Sequence, residues 1–435
     1  MKLLIKKMGI NGEGIGYFKR KPVFVEGAFP EETVDVEITE TNERYFKAQV
    51  KKIVEPSPYR TYAKCPYEEK CGGCTLMKLD YSGQLKYKKE LLKEAFQKYS
   101  GLNPVIKDII GADSAYGYRN KCSLPVVEKD GTLYNALYRA YSNKPVIIEK
   151  CIIHDQTVEK VRKEVLKVLN EQQYRAYDQK SRKGIRHLMV RSLGNQTQIV
   201  IVTGNDEISE EAQTRLMNIE SVVSVYQGIN TSKKAVNQIP ERLKLLKGES
   251  DIAFEILGVK VRLLPQAFFQ LNLEQTLKLY DLVNTLASDA EGTMIEAFCG
   301  VGVMGLMLTG SFKKVIGVEI IPEAVKNARK MAQENDCDNI EFICGDVNKV
   351  ISEITLNRHI DVLLVDPPRT GLEEETLEVI NNSDIGKIIY VSCNPATLAK
   401  NVMALKKKYR VKEVYPLDMF PHTPHCESVT VLRRR

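Results

Sequence analysis

The chain has 435 residues, a formal net charge of +7 and ten cysteines, with 43% hydrophobic and 27% charged residues. This length exceeds one ordinary domain, and the composition excludes a disordered or fibrous protein. No apolar run is long enough to span a membrane, and the N-terminus lacks the apolar core of a secretory signal. Cysteines without such a signal indicate a reducing cytoplasm, where thiols bind metals or act in catalysis.

Residues 1–57 contain short strand-like runs separated by glycines, and prolines at the end close the unit. Period-two alternation is evident in residues 34–38. Short strands of this kind favour a small β-barrel of the oligonucleotide-binding type. An inert packing module is the alternative, but the cations and rings of residues 44–47 favour RNA, because cations meet phosphates and rings stack on bases.

Three cysteines lie close together at Cys65, Cys71 and Cys74, and the last two flank a Gly-Gly pair. Small residues let the backbone wrap around a bulky centre, and four thiolates bind either Zn²⁺ or an iron–sulfur cluster. Zinc sites usually pair two Cys-x-x-Cys knuckles, and one is visible here, so a cluster is favoured. On spacing alone the fourth ligand is either Cys122 or Cys151.

The central part of the chain begins with a predicted amphipathic helix at residues 84–99, with an apolar face and lysines on the opposite, solvated side. From residue 105 to about 264, strand-like and helical stretches alternate with scattered cations. We therefore expect a central RNA-binding α+β domain with the cysteine site at 58–264 and a third domain at 265–435. An alternative position for the helix at residues 84–99 is against the third domain.

The third domain is the most regular part of the chain. Apolar strand-like runs alternate with helical patterns at residues 293–298, 315–318, 340–344, 362–365 and 388–391. This alternation predicts a Rossmann-like α/β fold with a doubly wound, mostly parallel sheet. Two further strands are expected at its edge, at residues 411–415 and 428–432. In open sheets of this type, ligands bind outside the carboxyl ends of the strands.

A glycine-rich loop, residues 300–305, follows the first of these strands, and Glu319 ends the second. The loop matches the dinucleotide fingerprint, and the carboxylate stands where a ribose-binding acid is expected. The glycines allow close backbone approach to a nucleotide. Both NAD and S-adenosylmethionine need these features, so the loop does not distinguish between them.

The segments after the next two strands do distinguish between NAD and S-adenosylmethionine. Asp366 opens an Asp-Pro-Pro-Arg segment after the fourth strand, and Cys393 lies in Ser-Cys-Asn-Pro after the fifth. A methyltransferase acting on C5 of a pyrimidine needs such a thiol, because addition to C6 makes C5 nucleophilic enough to take a sulfonium methyl group. A base must then remove the C5 proton so that the thiolate can leave, and Glu427 is the candidate.

Residues 366–371 and 389–397, together with the run to Glu427, resemble the paired signatures of the RNA (uracil-5-)-methyltransferases. The resemblance covers the whole chain and implies a TRAM domain at residues 1–57. It also implies a [4Fe–4S] cluster bound by Cys65, Cys71, Cys74 and Cys151. The choice of Cys151 over Cys122 as the fourth ligand rests on the resemblance alone. The cluster is expected to be a structural staple, because the proposed chemistry moves no electron.

The same resemblance implies that Cys393 is the nucleophile and Glu427 the proton acceptor. It implies contacts to S-adenosyl-L-methionine from Gln270, Phe298, Glu319, Asp346 and Asp366. One departure is visible, since the family's loop commonly reads Gly-Thr-Ile-Gly and here Val303 and Met304 precede the last glycine. A hydroxyl is lost there, but the backbone cradle remains.

Members with both a TRAM domain and a cluster resemble the branch that modifies 23S ribosomal RNA, whereas the transfer-RNA enzymes typically lack both. The expected protein is a cytoplasmic monomer that flips a uridine out of 23S rRNA, with no membrane or DNA partner. There are five alternatives: the same chemistry on tRNA, an RNA cytosine-5 methyltransferase, a nicotinamide-dependent oxidoreductase, a radical enzyme that uses an iron–sulfur cluster with S-adenosylmethionine, and a non-catalytic RNA-binding protein. The radical enzymes need a Cys-x-x-x-Cys-x-x-Cys run, and the spacing between Cys65 and Cys71 is longer. The cytosine enzymes commonly carry a second cysteine after strand four, and residues 366–368 contain none.

Overall fold

The computed structural model describes residues 1–232 and 239–435. Within these two ranges the strands assemble into a six-stranded, a seven-stranded, an eight-stranded and a two-stranded sheet. No helix of the same ranges is long and apolar enough to cross a membrane.

The six-stranded sheet is N-terminal, and its strands are β1 (Lys2–Leu4), β2 (Lys7–Met8), β3 (Gly14–Phe18), β4 (Lys21–Glu26), β5 (Thr33–Thr41) and β6 (Phe46–Glu55). Their spatial order is β1-β5-β6-β4-β3-β2. The alternation predicted in β5 is present, since Val34 and Val36 are buried and Glu37 is exposed. This pattern gives the sheet one apolar face, which covers a small core of its own.

The predicted helix at residues 84–99 is present as α1 (Tyr81–Ser100) and is followed by the short strand β7 (Val105–Ile106). Leu92 and Phe96 of α1 share a hydrophobic core with the C-terminal sheet. This part of the chain therefore packs on the C-terminal sheet, although the sequence grouped it with the central region.

The seven-stranded sheet lies in the middle of the chain with two helices: β8 (Lys121–Lys129), β9 (Thr132–Tyr138), β10 (Pro145–Ile147), α2 (Gln156–Glu171), β11 (Ile185–Leu193), β12 (Gln196–Thr203), α3 (Glu210–Met217), β13 (Val222–Ile229) and β14 (Leu243–Gly248). Its order is β10-β9-β8-β11-β12-β13-β14. Val158, Val161 and Val165 of α2 are fully buried in the core beneath this sheet.

The C-terminal region begins with the hairpin β15 (Ile252–Ile256) and β16 (Val259–Leu263). It continues with α4 (Leu273–Ala287), β17 (Thr293–Ala297), α5 (Val303–Leu308), β18 (Lys314–Glu319), α6 (Pro322–Glu334), β19 (Ile340–Cys344), α7 (Val347–Asn357), β20 (Ile360–Val365), α8 (Glu374–Asn382), β21 (Ile385–Ser392), α9 (Pro395–Leu405), β22 (Tyr409–Leu417) and β23 (Glu427–Arg434). The sheet order is β19-β18-β17-β20-β21-β23-β22-β7. Each strand predicted in this region is present.

The core of this sheet is parallel, because β17 to β21 all run in one direction, and β23 is inserted antiparallel between β21 and β22. Side chains from both faces are buried: Met294 and Val362 belong to one core, and Ile295 and Leu363 to the other. The doubly wound prediction is confirmed. The strand order reverses between β17 and β20, which is where such sheets bind ligands.

Candidate active site

The three residues predicted to carry the chemistry meet on one edge of the eight-stranded sheet. Asp366 directly follows β20, and Cys393 directly follows β21. Glu427 opens β23, which runs antiparallel to β21 with Ser392 opposite Ser428. Because an antiparallel strand starts where its neighbour ends, the first residue of β23 lies beside the last residues of β21. The sheet register therefore brings all three side chains to one rim.

The two carboxyl groups of this rim lie beside each other, with Glu427 buried and Asp366 half-buried. Burial raises the pKa of Asp366 to about 7. Burial also raises the pKa of Glu427 well above its usual range, and the charge of Asp366 adds to the rise. Within the described residues, Glu427 Oε1 is buried and has no hydrogen-bond partner. Two neighbouring carboxyls resist double ionisation, so near neutral pH the pair retains a proton and can also accept one.

The thiol of Cys393 is half-buried and sits in an electronegative environment. Burial, and then the charges of Glu427 and Asp366, raise its pKa to about 11, while Arg369 opposes the rise. The thiol is therefore protonated at neutral pH in the absence of substrate. Attack by this sulfur requires transfer of its proton, and the neighbouring carboxyls are suited to receive it.

Replacing Asp366 with asparagine is expected to make Cys393 easier to ionise. The change removes a negative charge that disfavours the thiolate, so the pH of half-maximal alkylation by iodoacetamide should fall by about one unit. Peptide mass spectrometry after timed alkylation between pH 7 and 11 measures this. Glu374→Gln, an exposed carboxylate on α8, is the matched control and should leave the profile unchanged. An unchanged or upward-shifted profile in Asp366→Asn would contradict the electrostatic coupling.

The glycine loop after β17 has three left-handed residues: Phe298 (φ 62°), Gly300 (φ 55°) and Gly302 (φ 78°). A Cβ at Gly302 would lie 2.3 Å from the Phe342 ring, so this position requires glycine. A Cβ at Gly300 would meet nothing within 4 Å, which leaves open space next to the loop. A non-glycine residue with this backbone conformation is uncommon and is a hint of function at Phe298.

The other predicted cofactor residues are distributed along the same rim. Glu319 ends β18, and its carboxylate accepts hydrogen bonds from the Gly300 amide at 3.0 Å and the Ile320 amide at 2.8 Å. It therefore connects the glycine loop to the neighbouring strand. Asp346 follows β19, is exposed, and caps α7 by accepting from the Asn348 amide at 2.9 Å.

Gln270 approaches from outside the sheet, in the segment before α4. It is 8% exposed, and its backbone carbonyl accepts a hydrogen bond from Asn120 Nδ2 at 3.0 Å. Asn120 comes from the start of the central sheet. The position of Gln270 therefore depends on contact between the central and C-terminal regions.

Sequence reasoning missed Glu296, an acid inside the otherwise apolar strand β17. It is 1% exposed, and its carboxyl accepts a hydrogen bond from the Gly305 amide at 2.8 Å. Burial raises its pKa to about 8, and the charges of Asp366 and Glu319 add to the rise, whereas the hydrogen bond from Gly305 opposes it. Glu296 thus supports the glycine loop from below. The available signal was an acid four residues before Gly300, in a strand buried on both faces.

The predicted cluster cysteines line a single cavity of about 380 Å³: Cys65, Cys71, Cys74 and Cys151, with Cys122 also on its wall. Burial raises the pKa of the Cys74 thiol, and the nearby Cys151, Cys71 and Cys65 add to the rise. Burial also raises the pKa of Cys122, to about 12, but its charged neighbours are Arg162, Glu159 and Arg119. Across the described ranges, no three His, Cys, Asp or Glu side chains form a group that could hold a metal ion. The cysteines therefore share a cavity but do not form a single-ion site.

A doubly wound sheet with a glycine loop where the strand order reverses, preceded by an N-terminal β-module, fits a class I methyltransferase fold joined to a small β-domain. Comparison with known families gives the same result. The tRNA (uracil-5-)-methyltransferase family profile matches residues 80–435, and the TRAM domain profile matches residues 1–51. The chain belongs to the tRNA (uracil-5-)-methyltransferase family and carries an N-terminal TRAM domain, which confirms the family inferred from its signatures.

Individual relatives span nearly the whole chain. A Bacillus cereus protein named "Uncharacterized RNA methyltransferase" is 37% identical over 442 aligned positions, covering 99% of this chain and 96% of that protein. A similarly named protein of Halalkalibacterium halodurans is 36% identical, covering 99% and 95%. The crystal structure of Pyrococcus abyssi tRNA (uracil-54, C5)-methyltransferase with S-adenosyl-L-homocysteine superposes with a TM-score of 0.78 at 26% identity, covering 99% of this chain and 100% of that one.

Proposed function

We propose that this protein transfers a methyl group from S-adenosyl-L-methionine to C5 of a uridine in RNA, through a covalent bond between Cys393 and C6. The observation that carries the proposal is the convergence of Cys393, Asp366 and Glu427 on one sheet rim beside the glycine loop. Family membership supports the uracil-5 chemistry. The S-adenosyl-L-homocysteine bound to the similar Pyrococcus abyssi structure supports the cofactor.

When bound, S-adenosylmethionine supplies an electrophilic methyl group. The residues that would hold it are Gln270, Phe298, Glu319, Asp346 and Asp366. The left-handed loop with open space at Gly300 fits close backbone approach by a nucleotide. Backbone amides orient Glu319 at the end of β18. In folds of this type, an acid at this position accepts hydrogen bonds from the ribose hydroxyls. The same features fit NAD, so the choice of cofactor depends on the thiol and carboxylates nearby.

The protein's own residues divide the reaction into two halves. Cys393 passes its proton to the neighbouring carboxyls, and its sulfur forms a bond to C6, which moves an electron pair to C5 and makes that carbon a nucleophile. The carboxyl pair releases the thiol proton to solvent through Asp366, which is partly exposed. After C5 has gained the methyl group, Glu427 accepts the C5 proton, the electron pair left behind expels the sulfur from C6, and the thiolate regains a proton from solvent. A carboxylate with a raised pKa is a stronger base, which suits removal of a proton from carbon.

We propose 23S rRNA as the substrate, because the TRAM domain and cysteine motif together resemble the branch of the family that modifies it.

A second candidate is tRNA. The similar Pyrococcus abyssi structure is named a tRNA enzyme and is covered over its full length by this chain, including the N-terminal region. The match spans both the N-terminal module and the cysteine segment, so the proposal for rRNA is supported by the resemblance alone.

The substrate is tested by methylation of RNA from a strain that lacks this gene. Purified 23S rRNA and total tRNA are incubated separately with the protein and methyl-labelled S-adenosylmethionine, and the nucleosides are analysed by mass spectrometry. The proposal expects 5-methyluridine in 23S rRNA and none in tRNA. Label in tRNA would establish the second candidate, and 5-methylcytidine in either would overturn the uridine assignment.

We also propose a [4Fe–4S] cluster on Cys65, Cys71, Cys74 and Cys151. The four thiols reach one cavity from two separate chain segments, and the electrostatic neighbours of Cys74 include the other three. These four residues would hold the cluster, and each would supply one thiolate ligand. The role proposed is structural, since no step above transfers an electron.

Anaerobic purification is expected to give a brown protein with about four iron and four sulfide per chain. Cys151→Ser should lower the iron content and the visible absorbance, because a ligand is lost. Cys122→Ser is the matched control, since Cys122 lines the same cavity, and it should retain the cluster. Stoichiometric zinc, or cluster loss in Cys122→Ser but not in Cys151→Ser, would contradict the assignment.

The remaining expectations stay predictions: the division at residues 57 and 264, a cytoplasmic location, a monomeric state, and no membrane or DNA partner. We propose one refinement of the division. Because α1 and β7 join the C-terminal core and sheet, residues 81–106 belong structurally with the methyltransferase region. Size-exclusion chromatography with light scattering tests the monomer.

A further inference from the structure

The segment that leads into Glu427, residues 418–426, is held by the preceding parts of the chain. Five consecutive residues each have a backbone group bonded to a residue outside the segment. The bonds are Asp418 N to Ile110 O (3.0 Å), Asn272 Nδ2 to Met419 O (3.2 Å), Lys88 Nζ to Phe420 O (3.1 Å), Tyr118 OH to Pro421 O (3.1 Å) and Leu76 N to His422 O (3.0 Å). Most partners come from the region between the cysteine motif and the central sheet.

A fully buried ion pair also attaches this segment. Lys88 Nζ lies 2.5 Å from Asp418 Oδ1, and both side chains are 0% exposed. The same ammonium group donates to the Phe420 carbonyl, so one side chain of α1 holds two residues of the segment. Burying two charges is costly even when they are paired, and apolar residues often serve stability equally well. A role beyond stability is therefore worth testing for this pair.

Glu427 needs support from its backbone. Its Oε1 is buried and lacks a hydrogen-bond partner in the described ranges, so side-chain contacts do not fix this atom. The direction of the carboxyl group then depends on where the chain enters β23. That entry point is set by the segment which Lys88 and Asp418 hold in place.

We propose that Lys88 and Asp418 are positioning residues that aim the Glu427 carboxyl at the C5 proton of the target base. The proposal rests on the function proposed above for Glu427. Proton removal is sensitive to distance, and a displacement of about 1 Å can slow a step about 100-fold. Attack by Cys393 depends on a different loop, after β21, and is affected less.

The test is the double variant Lys88→Met/Asp418→Met, which leaves no unpaired charge in the core. Turnover should fall about 100-fold, while the dissociation constant for S-adenosylmethionine and the melting temperature stay near wild type. The specific signature is accumulation of a methylated protein–RNA adduct, seen on a denaturing gel, because proton removal is slowed more than attack. The matched control is Lys89→Met/Asp108→Met, the next residue of α1 with an exposed partner at 2.5 Å, which should behave as wild type.

Tyr118→Phe is a milder second variant, since it removes only the hydroxyl that holds Pro421. It should lower turnover by less than the double variant and also accumulate adduct. The proposal is overturned if both variants turn over normally without adduct, or if adduct formation and turnover fall in parallel. The variant Glu427→Gln, measured in the same assay, separates the positioning role of Lys88 and Asp418 from the proposed role of Glu427 as proton acceptor. Adduct in Glu427→Gln but not in the Lys88 variant overturns the positioning role alone, and its absence in both overturns the role of Glu427 as well.

Discussion

Replacing Cys393 with alanine is expected to abolish methyl transfer, with a loss of about 10⁴-fold or more, and to remove every covalent protein–RNA complex. The physical reason is that C5 of uracil is a poor nucleophile until sulfur adds to C6. The thiol stands on the rim next to both carboxyls, and burial, followed by their charges, raises its pKa. Without this sulfur, the carboxyls and the bound cofactor have no activated carbon to act on.

The measurement is transfer of labelled methyl groups to RNA, together with a denaturing gel for the adduct. Cys426→Ala is the matched control, because Cys426 precedes Glu427 in sequence but is fully buried. This control should retain adduct formation. Residual methylation by Cys393→Ala above about a thousandth of the wild-type rate would contradict covalent catalysis by this residue.

Replacing Glu427 with glutamine is expected to trap the reaction after the methyl group has moved. Glutamine has nearly the same shape but does not accept a proton, so the C5 proton stays and the sulfur does not leave C6. Turnover should fall by about 10³-fold, within the range for general acid–base groups. The adduct that accumulates should carry the methyl group.

Mass spectrometry of the adduct after nuclease digestion measures this outcome. The matched control is Glu413→Gln on β22, a partly exposed carboxylate paired with Lys107 at 2.7 Å. It should turn over normally. Normal turnover in Glu427→Gln would exclude the assigned role. Loss of adduct as well as turnover would show that Glu427 acts earlier, by accepting the thiol proton.

Much of the C-terminal fold was predictable because its signals are local. Each strand is a short apolar run followed by a turn, and a parallel sheet gathers the strand ends at one edge. Asp366 and Cys393 were therefore predictable as rim residues from two adjacent segments. The role of Glu427 as proton acceptor beside these two residues was predicted with the help of the family resemblance. The structure gives the physical reason, since β23 is antiparallel to β21.

The features that could not be predicted depend on distant partners. The lysines of α1 were expected on a solvated face, which is wrong for Lys88, because its partner Asp418 is 330 residues further along the chain. Strand β7 is two residues long and joins the sheet by pairing with β22. Spacing left Cys122 and Cys151 equivalent, and both do line the cavity. Both thiols are near Glu159, but Cys151 also has Cys71 as a charged neighbour, whereas Cys122 has Arg162 and Arg119, and this difference becomes visible only in three dimensions.

The most direct test of covalent methylation at C5 uses RNA that contains 5-fluorouridine. The protein's base cannot remove fluorine as a proton, so the adduct should persist in the unaltered protein. We expect one RNA strand attached to the peptide that contains Cys393, with a transferred methyl group on the base and a requirement for S-adenosylmethionine. A protein that forms no adduct, or attaches the RNA through another residue, would contradict the account.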